Sequence, residues 1–258
     1  MSNYISQLIS KTGVMASVGI IKLLHDPTEL ITRAVQPVIW LCIFGEAMSQ
    51  LRGMPTQGVT YLEFITPGIL TQSVTFVAIF YGLDIIMERD MGLLQKILVT
   101  PTPRLALVWG KMISASVRGI SQAIVIFVLA LILHIHLRIT VYSMLGVLVL
   151  IVLGASFFTG LSMIIASMVK TRERFMGIGQ TITLPLFFAS NAIYPIAMMP
   201  SWLQVIANIN PLSYMVDGIR ALLVTGNLAR LSVDMGVLWV VTFFISILCA
   251  YMYPKVVI

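Results

Sequence analysis

Four polar residues interrupt apolar stretches of this chain and are the first candidates for chemistry: Glu46, Arg118, Gln122 and Asn191. Inside hydrocarbon such side chains are costly, so each is a functional candidate by default. Arg118 and Gln122 stand four apart and share one helix face. For Arg118, a pairing with another helix and a place on a substrate pathway are equally good readings. Lys111, two turns earlier, is read as a lysine reaching back to the headgroups. These residues do not assemble a catalytic set, because the acids are scattered over Asp26, Glu29, Glu46, Glu63, Asp84, Glu88, Asp90, Glu173, Asp217 and Asp234. His134 and His136 have a spacing that two metal ligands could use, but no carboxylate or cysteine lies near them in sequence. No catalytic, cofactor or metal site is expected.

Nucleotide hydrolysis is excluded on specific grounds. A phosphate-binding loop needs glycines followed by Gly-Lys-Ser/Thr, so that backbone N–H groups and a lysine hold the phosphates. Here Gly110-Lys111 is followed by Met112, and Leu105 stands where the first glycine should fall. If ATP drives this protein, another polypeptide binds the ATP and Mg.

The elements that carry these residues are membrane spans. The chain is 59% hydrophobic and only 10% charged, with a mean hydropathy of +0.99. A soluble domain carries roughly a quarter of its residues charged. Runs of about 20 apolar residues, enough to cross a bilayer, predict an all-α integral membrane protein with about six transmembrane helices in a single domain, 1–258. The spans fall near 34–50, 64–87, 105–133, 141–169, 177–196 and 233–253. The fourth is rich in small residues, and Ser156 and Gly160 have the spacing that lets helices approach closely in lipid. Residues 1–29 read as an interfacial helix with Ile5, Leu8, Ile9, Ala16, Ile20 and Leu23 on one side, and they lack the compact core of a signal peptide. Cys42 and Cys249 lie in apolar runs and read as free buried thiols.

The net charge of +6 is not a nucleic-acid stripe, because the basic residues fall between the apolar runs. With a cytoplasmic N-terminus, all the lysines lie on the inner side, leaving outside only Arg52, Arg138, Arg220 and Arg230. That is the bias the positive-inside rule requires, and it returns the C-terminus to the cytoplasm. Residues 88–103 on the inner side form a short amphipathic helix, with Met91, Leu94 and Leu98 apolar and Pro101 and Pro103 ending it. Residues 198–230 on the outer side form a helical hairpin, opened at Pro200-Ser201 and again at Asn210-Pro211, that dips back into the membrane. Trp202 lies on its first helix. Asp217 and Arg220, three apart on the second, are expected to pair.

Several short motifs then fall in a specific order. Gln36-Pro37 with Trp40 and Phe44-Gly45 comes first, then Thr66-Pro67-Gly68 and Glu88-Arg89-Asp90-Met91-Gly92-Leu93-Leu94. Thr100-Pro101 through Arg104 to Gly110-Lys111, Tyr194-Pro195, Met199-Pro200-Ser201-Trp202-Leu203 and Asn210-Pro211 complete the series. Over nearly the whole chain this resembles the permease of type-2 ABC exporters, in the daunorubicin-resistance and nodulation-factor branch. The resemblance implies a permease that pairs with a second copy and sits on two ABC ATPase subunits. It exports amphiphiles such as drugs, lipids, glycolipids or polysaccharides. It also implies that the inner segment carrying Glu88, Arg89, Asp90, Gly92, Leu94 and Arg104 meets the ATPase. The mixed charge of that segment favours a protein partner over anionic lipid, which would select Lys and Arg. Glu88 and Asp90 are expected outside the hydrocarbon. The loop Lys170–Arg174 reads equally as a second contact or as ordinary inner-side charge. The rival reading is an ATP-independent carrier or channel, for which internal repeats would be expected.

Overall fold

In the computed structural model, which describes residues 2–25, 27–49, 58–94, 96 and 102–253, the apolar runs become helices whose starts are set by side chains. Thr60 and Glu63 form a reciprocal capping box that opens α4, Tyr61–Asp90, three residues before the apolar run itself. After Pro103 comes α5, Arg104–Ile132. The Thr140 hydroxyl accepts the Ser143 N–H at 3.1 Å and opens α6, Val141–Met168. Thr171 does the same for α7, Arg172–Phe188. At the C-terminal end, α10 spans Leu231–Met252. No strand occurs among the described residues. The chain is an all-α integral membrane protein.

Among the described residues, five helices are long and apolar enough to cross a membrane: α4, α5, α6, α10 and, against expectation, the N-terminal α1, Ser2–His25. The predicted first span appears instead as three abutting pieces, α2 Pro27–Ile39, a π-helical turn Trp40–Gly45, and α3 Glu46–Ser49. A π turn carries an extra residue and reorients the side chains beyond it. The predicted fifth span starts five residues early at its threonine cap. It stops at Phe188 after 17 residues, about 25 Å of helix, slightly less than the hydrocarbon thickness. Gln50, Arg52 and Lys255 lie outside the described residues.

The expected apolar side of α1 divides, with Ala16 and Leu23 packed in the bundle and Ile9 exposed. Its buried stripe is Thr12, Ala16, Gly19 and Leu23, while Ile9, Val14, Val18, Ile21 and Leu24 are exposed. Small residues decide this. Gly110 of α5 makes room for Met15 and for the α1 backbone at Thr12 and Ala16, and Gly19 is pressed against Ser114 and Tyr81. α1 is therefore a helix docked along α5, with its bulky apolar residues turned outward.

α4 is the most deeply buried of the long helices, and α6 packs against it through small residues. The glycines of α6 each receive a neighbour: Gly146 takes Leu222, Gly154 takes Met215, and Gly160 takes Met112 and Ile245. Ser156 faces Ser116 at 3.4 Å. The outer segment is a helical hairpin of α8, Ser201–Ile209, and α9, Pro211–Arg220. Asn210 makes the turn: its carbonyl caps Leu212 N–H at 3.0 Å and its amide donates to Leu186 O at 2.7 Å. α9 is buried among α4, α6 and α10, and a π turn, Ala221–Thr225, ends it at Gly226 with φ +69°. α8 instead exposes Trp202, Val205 and Ile209. Both cysteines are free.

Gly68 marks a crossing at which backbone meets backbone. A Cβ there would collide with the backbone of Ala192, so Gly68→Ala must push α4 from the turn after α7. Overpacking of this kind costs about 1–3 kcal/mol. The expected outcome is a lower melting temperature of the detergent-solubilised protein by size-exclusion stability assay. Gly177→Ala, with nothing within 4 Å of its Cβ, should leave it unchanged.

Candidate functional site

The polar residues collect at three places. At the end of the bundle that the charge pattern places inside, α4 presents Tyr81, Asp84 and Glu88 along one stripe, and α5 presents Lys111 and Arg118 to it. Arg118 is only 4% exposed. It donates to Asp84 Oδ2 at 2.7 Å and lies 4.7 Å from the centre of the Tyr81 ring. This is the pairing alternative for Arg118, now with its partner named. Lys111 does not reach for headgroups. It is buried and donates to Glu88 Oε2. Lys22 of α1 donates to the other oxygen of Glu88 at 3.0 Å, so one carboxylate joins three helices.

Glu88 is therefore turned inward, and its expected place on a docking surface is corrected. The cause is the two lysines, which offer a buried carboxylate what water would otherwise supply. Arg89 also serves the fold, donating to Val169 O at 3.0 Å and Lys170 O at 2.7 Å. Asp90 is exposed, 3.5 Å from Arg172. Beyond it the chain turns at Gly92, with φ +69°, and Leu94 is fully buried beside Ile85 and Leu107. Arg104 is exposed at the start of α5. The outward side of this segment is formed by Met91, Leu93 and Lys96, all exposed. Gln95, Leu98 and Pro101 lie outside the described residues.

The second place is a groove of about 470 Å³ on the flank of the bundle, between α2, α4 and α7. Thr32, Arg33 and Gln36 line it from α2, Gln72, Ser73 and Phe76 from α4, and Gln180 from α7. Gln36 and Gln180 are exposed, and the buried Gln72 Nε2 has no hydrogen-bond partner among the described residues. Glu46 is exposed beyond the outer end of α2. Gln122 is buried elsewhere, with neither amide atom bonded among the described residues.

The third place is at the opposite end. The Arg220 guanidinium donates to Asn191 O at 2.8 Å and Phe64 O at 3.2 Å, and stands 3.9 Å over the Phe64 ring. Asp217 lies 3.6 Å from Arg220, the expected i,i+3 pair, and accepts a hydrogen bond from Asn191 Nδ2. His136 Nδ1 lies 3.8 Å from Glu63, so a carboxylate is near the histidines in space although not in sequence. No group of three or more metal-type ligands occurs among the described residues.

Sequence reasoning missed Asp84 and the inward role of Glu88. The signal was available: acids at 84 and 88 and bases at 111 and 118 make complementary stripes on two adjacent helices. It also missed the capping box Thr60-x-x-Glu63, a standard start signal.

An all-α membrane bundle with buried ion pairs between its helices and a polar groove on its flank has the build of a transport permease. The chain belongs to the ABC-2 type transporter family, which matches residues 11–224. It is 31% identical over 208 residues to the putative transport permease ycf38 of Cyanophora paradoxa, covering 78% of this chain and 70% of that one. It is 27% identical over 203 residues, 77% and 70% of the two chains, to the daunorubicin resistance ABC transporter permease protein DrrB1 of Streptomyces coeruleorubidus. The inner membrane transport permease YadH of Escherichia coli K12 is 23% identical over 197 residues, 74% and 73% of the two chains. The protein is thus a membrane transport permease, and the family is one of permease subunits, not of enzymes.

Removing Glu88 should unseat α1. Deleting one partner of a buried ion pair costs about 3–5 kcal/mol, whereas the side chain of Lys22 is 49% exposed and an exposed pair contributes about 0–1 kcal/mol. Glu88→Gln is expected to lower the thermal stability of the purified protein well below that of Lys22→Gln. Equal effects of the two would show that Lys111 and Glu88 are not the buried core of the triad.

Proposed function

We propose that this chain is the membrane subunit of an ATP-driven exporter, in which two copies work with two separate ABC ATPase subunits and move an amphiphile outward by alternating access. Both termini lie in the cytoplasm, and ATP and Mg are bound by the partner subunit. The observation that carries the reading is the groove between α2, α4 and α7. Gln36 and Gln180 are exposed on it, and facing lipid they would leave amide groups unsatisfied. A second copy set against this flank would turn the groove into an enclosed, partly polar passage. The relative named for daunorubicin resistance supports an amphiphilic drug or lipid as cargo.

The ATPase meets the inner surface at Met91, Leu93 and Asp90. Arg89 and Asp90 fasten this segment to the Val169–Arg172 loop, so the two inner loops form one platform. Met91→Glu combined with Leu93→Glu should leave membrane abundance unchanged, because neither residue packs in the core. It should cut the vanadate-sensitive ATPase activity that co-purifies with the tagged permease by about tenfold or more. Undiminished co-purification would remove the platform reading. Uptake of an amphiphile by proteoliposomes holding this chain alone would favour the ATP-independent carrier.

Orientation has its own test. In a Cys42→Ala, Cys249→Ala background, Asn227→Cys in the outer turn should react with an impermeant thiol reagent on intact cells, and Lys170→Cys should not. The reverse pattern would invert the topology.

A further inference from the structure

Beside the outer hairpin, between α4, α9 and α10, lies a cavity of about 380 Å³. Its charged lining is Asp217, Asp234, Arg220 and Arg230, and the acids are less well satisfied than the bases. Asp234, in the first turn of α10, is 5% exposed, yet its carboxylate forms no hydrogen bond or ion pair among the described residues. The charges that act on it are the like charge of Asp217 and that of Arg230, exposed at the rim. The helix N-terminus favours a negative charge there, but it fills neither oxygen. Asn191, 4% exposed, gives its Nδ2 to Asp217, an acceptor that fixes the amide's orientation, and Oδ1 is left buried with no partner among the described residues. Arg220 is spent on Phe64, Asn191 and Asp217. Arg230 also lines the cavity, exposed at its rim; the inner part offers two carboxylates and an amide oxygen with acceptor capacity left over.

We infer that this cavity binds a primary ammonium group, held by Asp234, Asn191 Oδ1 and the free face of Asp217. An ammonium brings three N–H donors and one positive charge and has no acceptor to waste. A calcium ion would want six to eight oxygens, more than the cavity presents. The volume well exceeds that of an ammonium, and Phe64, Pro195, Ile196 and Ala221 supply apolar wall for an attached carbon skeleton. The ligand class is an amine-bearing amphiphile, whether an exported compound or the headgroup of a membrane aminophospholipid. Only the placing of this site on an exit path rests on the export reading.

The test uses Ala229→Cys, an exposed residue of the cavity lining, in the Cys42→Ala, Cys249→Ala background in phosphatidylcholine nanodiscs. Both faces are then open, and neither an ATPase nor transport enters the measurement, so failure of this site and failure of the export reading are separable. Hexylammonium should slow modification by a methanethiosulfonate saturably, and hexanol and hexyltrimethylammonium should not. Asp234→Asn should raise the protecting concentration of hexylammonium by about tenfold or more. Equal protection by hexanol or by the trimethyl compound would overturn the proposal without any variant, even if Asp234→Asn failed to fold. Undiminished protection in a folded Asp234→Asn would overturn it as well. Nanodiscs containing phosphatidylethanolamine then assign the source: slower labelling with no added amine supports a lipid headgroup, and unchanged labelling a soluble amphiphile.

Discussion

The register of α4 against α5 follows from one requirement: no base on α5 can be buried without an acid on α4. Moving an ion from water into a protein interior costs several kcal/mol even after relaxation. Arg118 and Lys111 are seven residues apart on one face of α5, and Asp84 and Glu88 meet them from the antiparallel α4. Sliding either helix by a turn would strand two charges together. That register also sets Gly119 against Val74 farther along the pair. The second oxygen of Glu88 then recruits Lys22, and α1, which has few large buried residues of its own, acquires a fixed place along α5.

The other end solves the same problem with one base and backbone acceptors. Arg220 is buried on a helix of only ten residues. It is satisfied by the carbonyls of Phe64 and Asn191 and by the face of the Phe64 ring, a cation–π contact that gains strength where water is excluded. Those carbonyls are within reach because Gly68 lets the turn at Ala192 approach α4 without a Cβ between them. Tyr61 adds a bond to Ile193 O at 3.1 Å. One glycine, one arginine and one turn thus bind the hairpin to the bundle, and α9 can be buried while α8 stays outside.

The strong apolar runs were legible in the sequence, and α4, α5, α6 and α10 stand where hydropathy puts them. So was the hairpin, because Asn210-Pro211 and Gly226 are local signals of a start and a stop. The interruption of α2 at Trp40–Gly45 was not legible, since a π turn leaves no composition mark and depends on neighbours such as Leu62, packed against Gly45. The docked face of α1 was not legible for a related reason. Periodicity shows which face is apolar, but in lipid the buried face is the one with small residues, and Thr12, Ala16 and Gly19 outrank Ile9 there. Glu88 was read as a surface residue because the sequence ends its apolar run at Met87. Only the positions of Lys22 and Lys111 in space turn it inward.

The inner ties also determine where a force applied at the inner surface can go. Arg89 and Asp90 join the last turn of α4 to the loop that opens α7. α4 and α7 are two of the three walls of the polar groove. On the side of α5, motion of α4 would break buried ion pairs, at a cost of several kcal/mol. On the side of the groove the contact is of another kind: Trp40 meets Phe187 of α7 edge to face at 5.8 Å. Aromatic contacts of this sort are worth about 0.5–1.5 kcal/mol beyond burial and can be remade after a small slide. Under the proposed coupling, a push on the two inner loops would meet less resistance toward α2 and the groove than toward α5, where the ion pairs of α4 are buried.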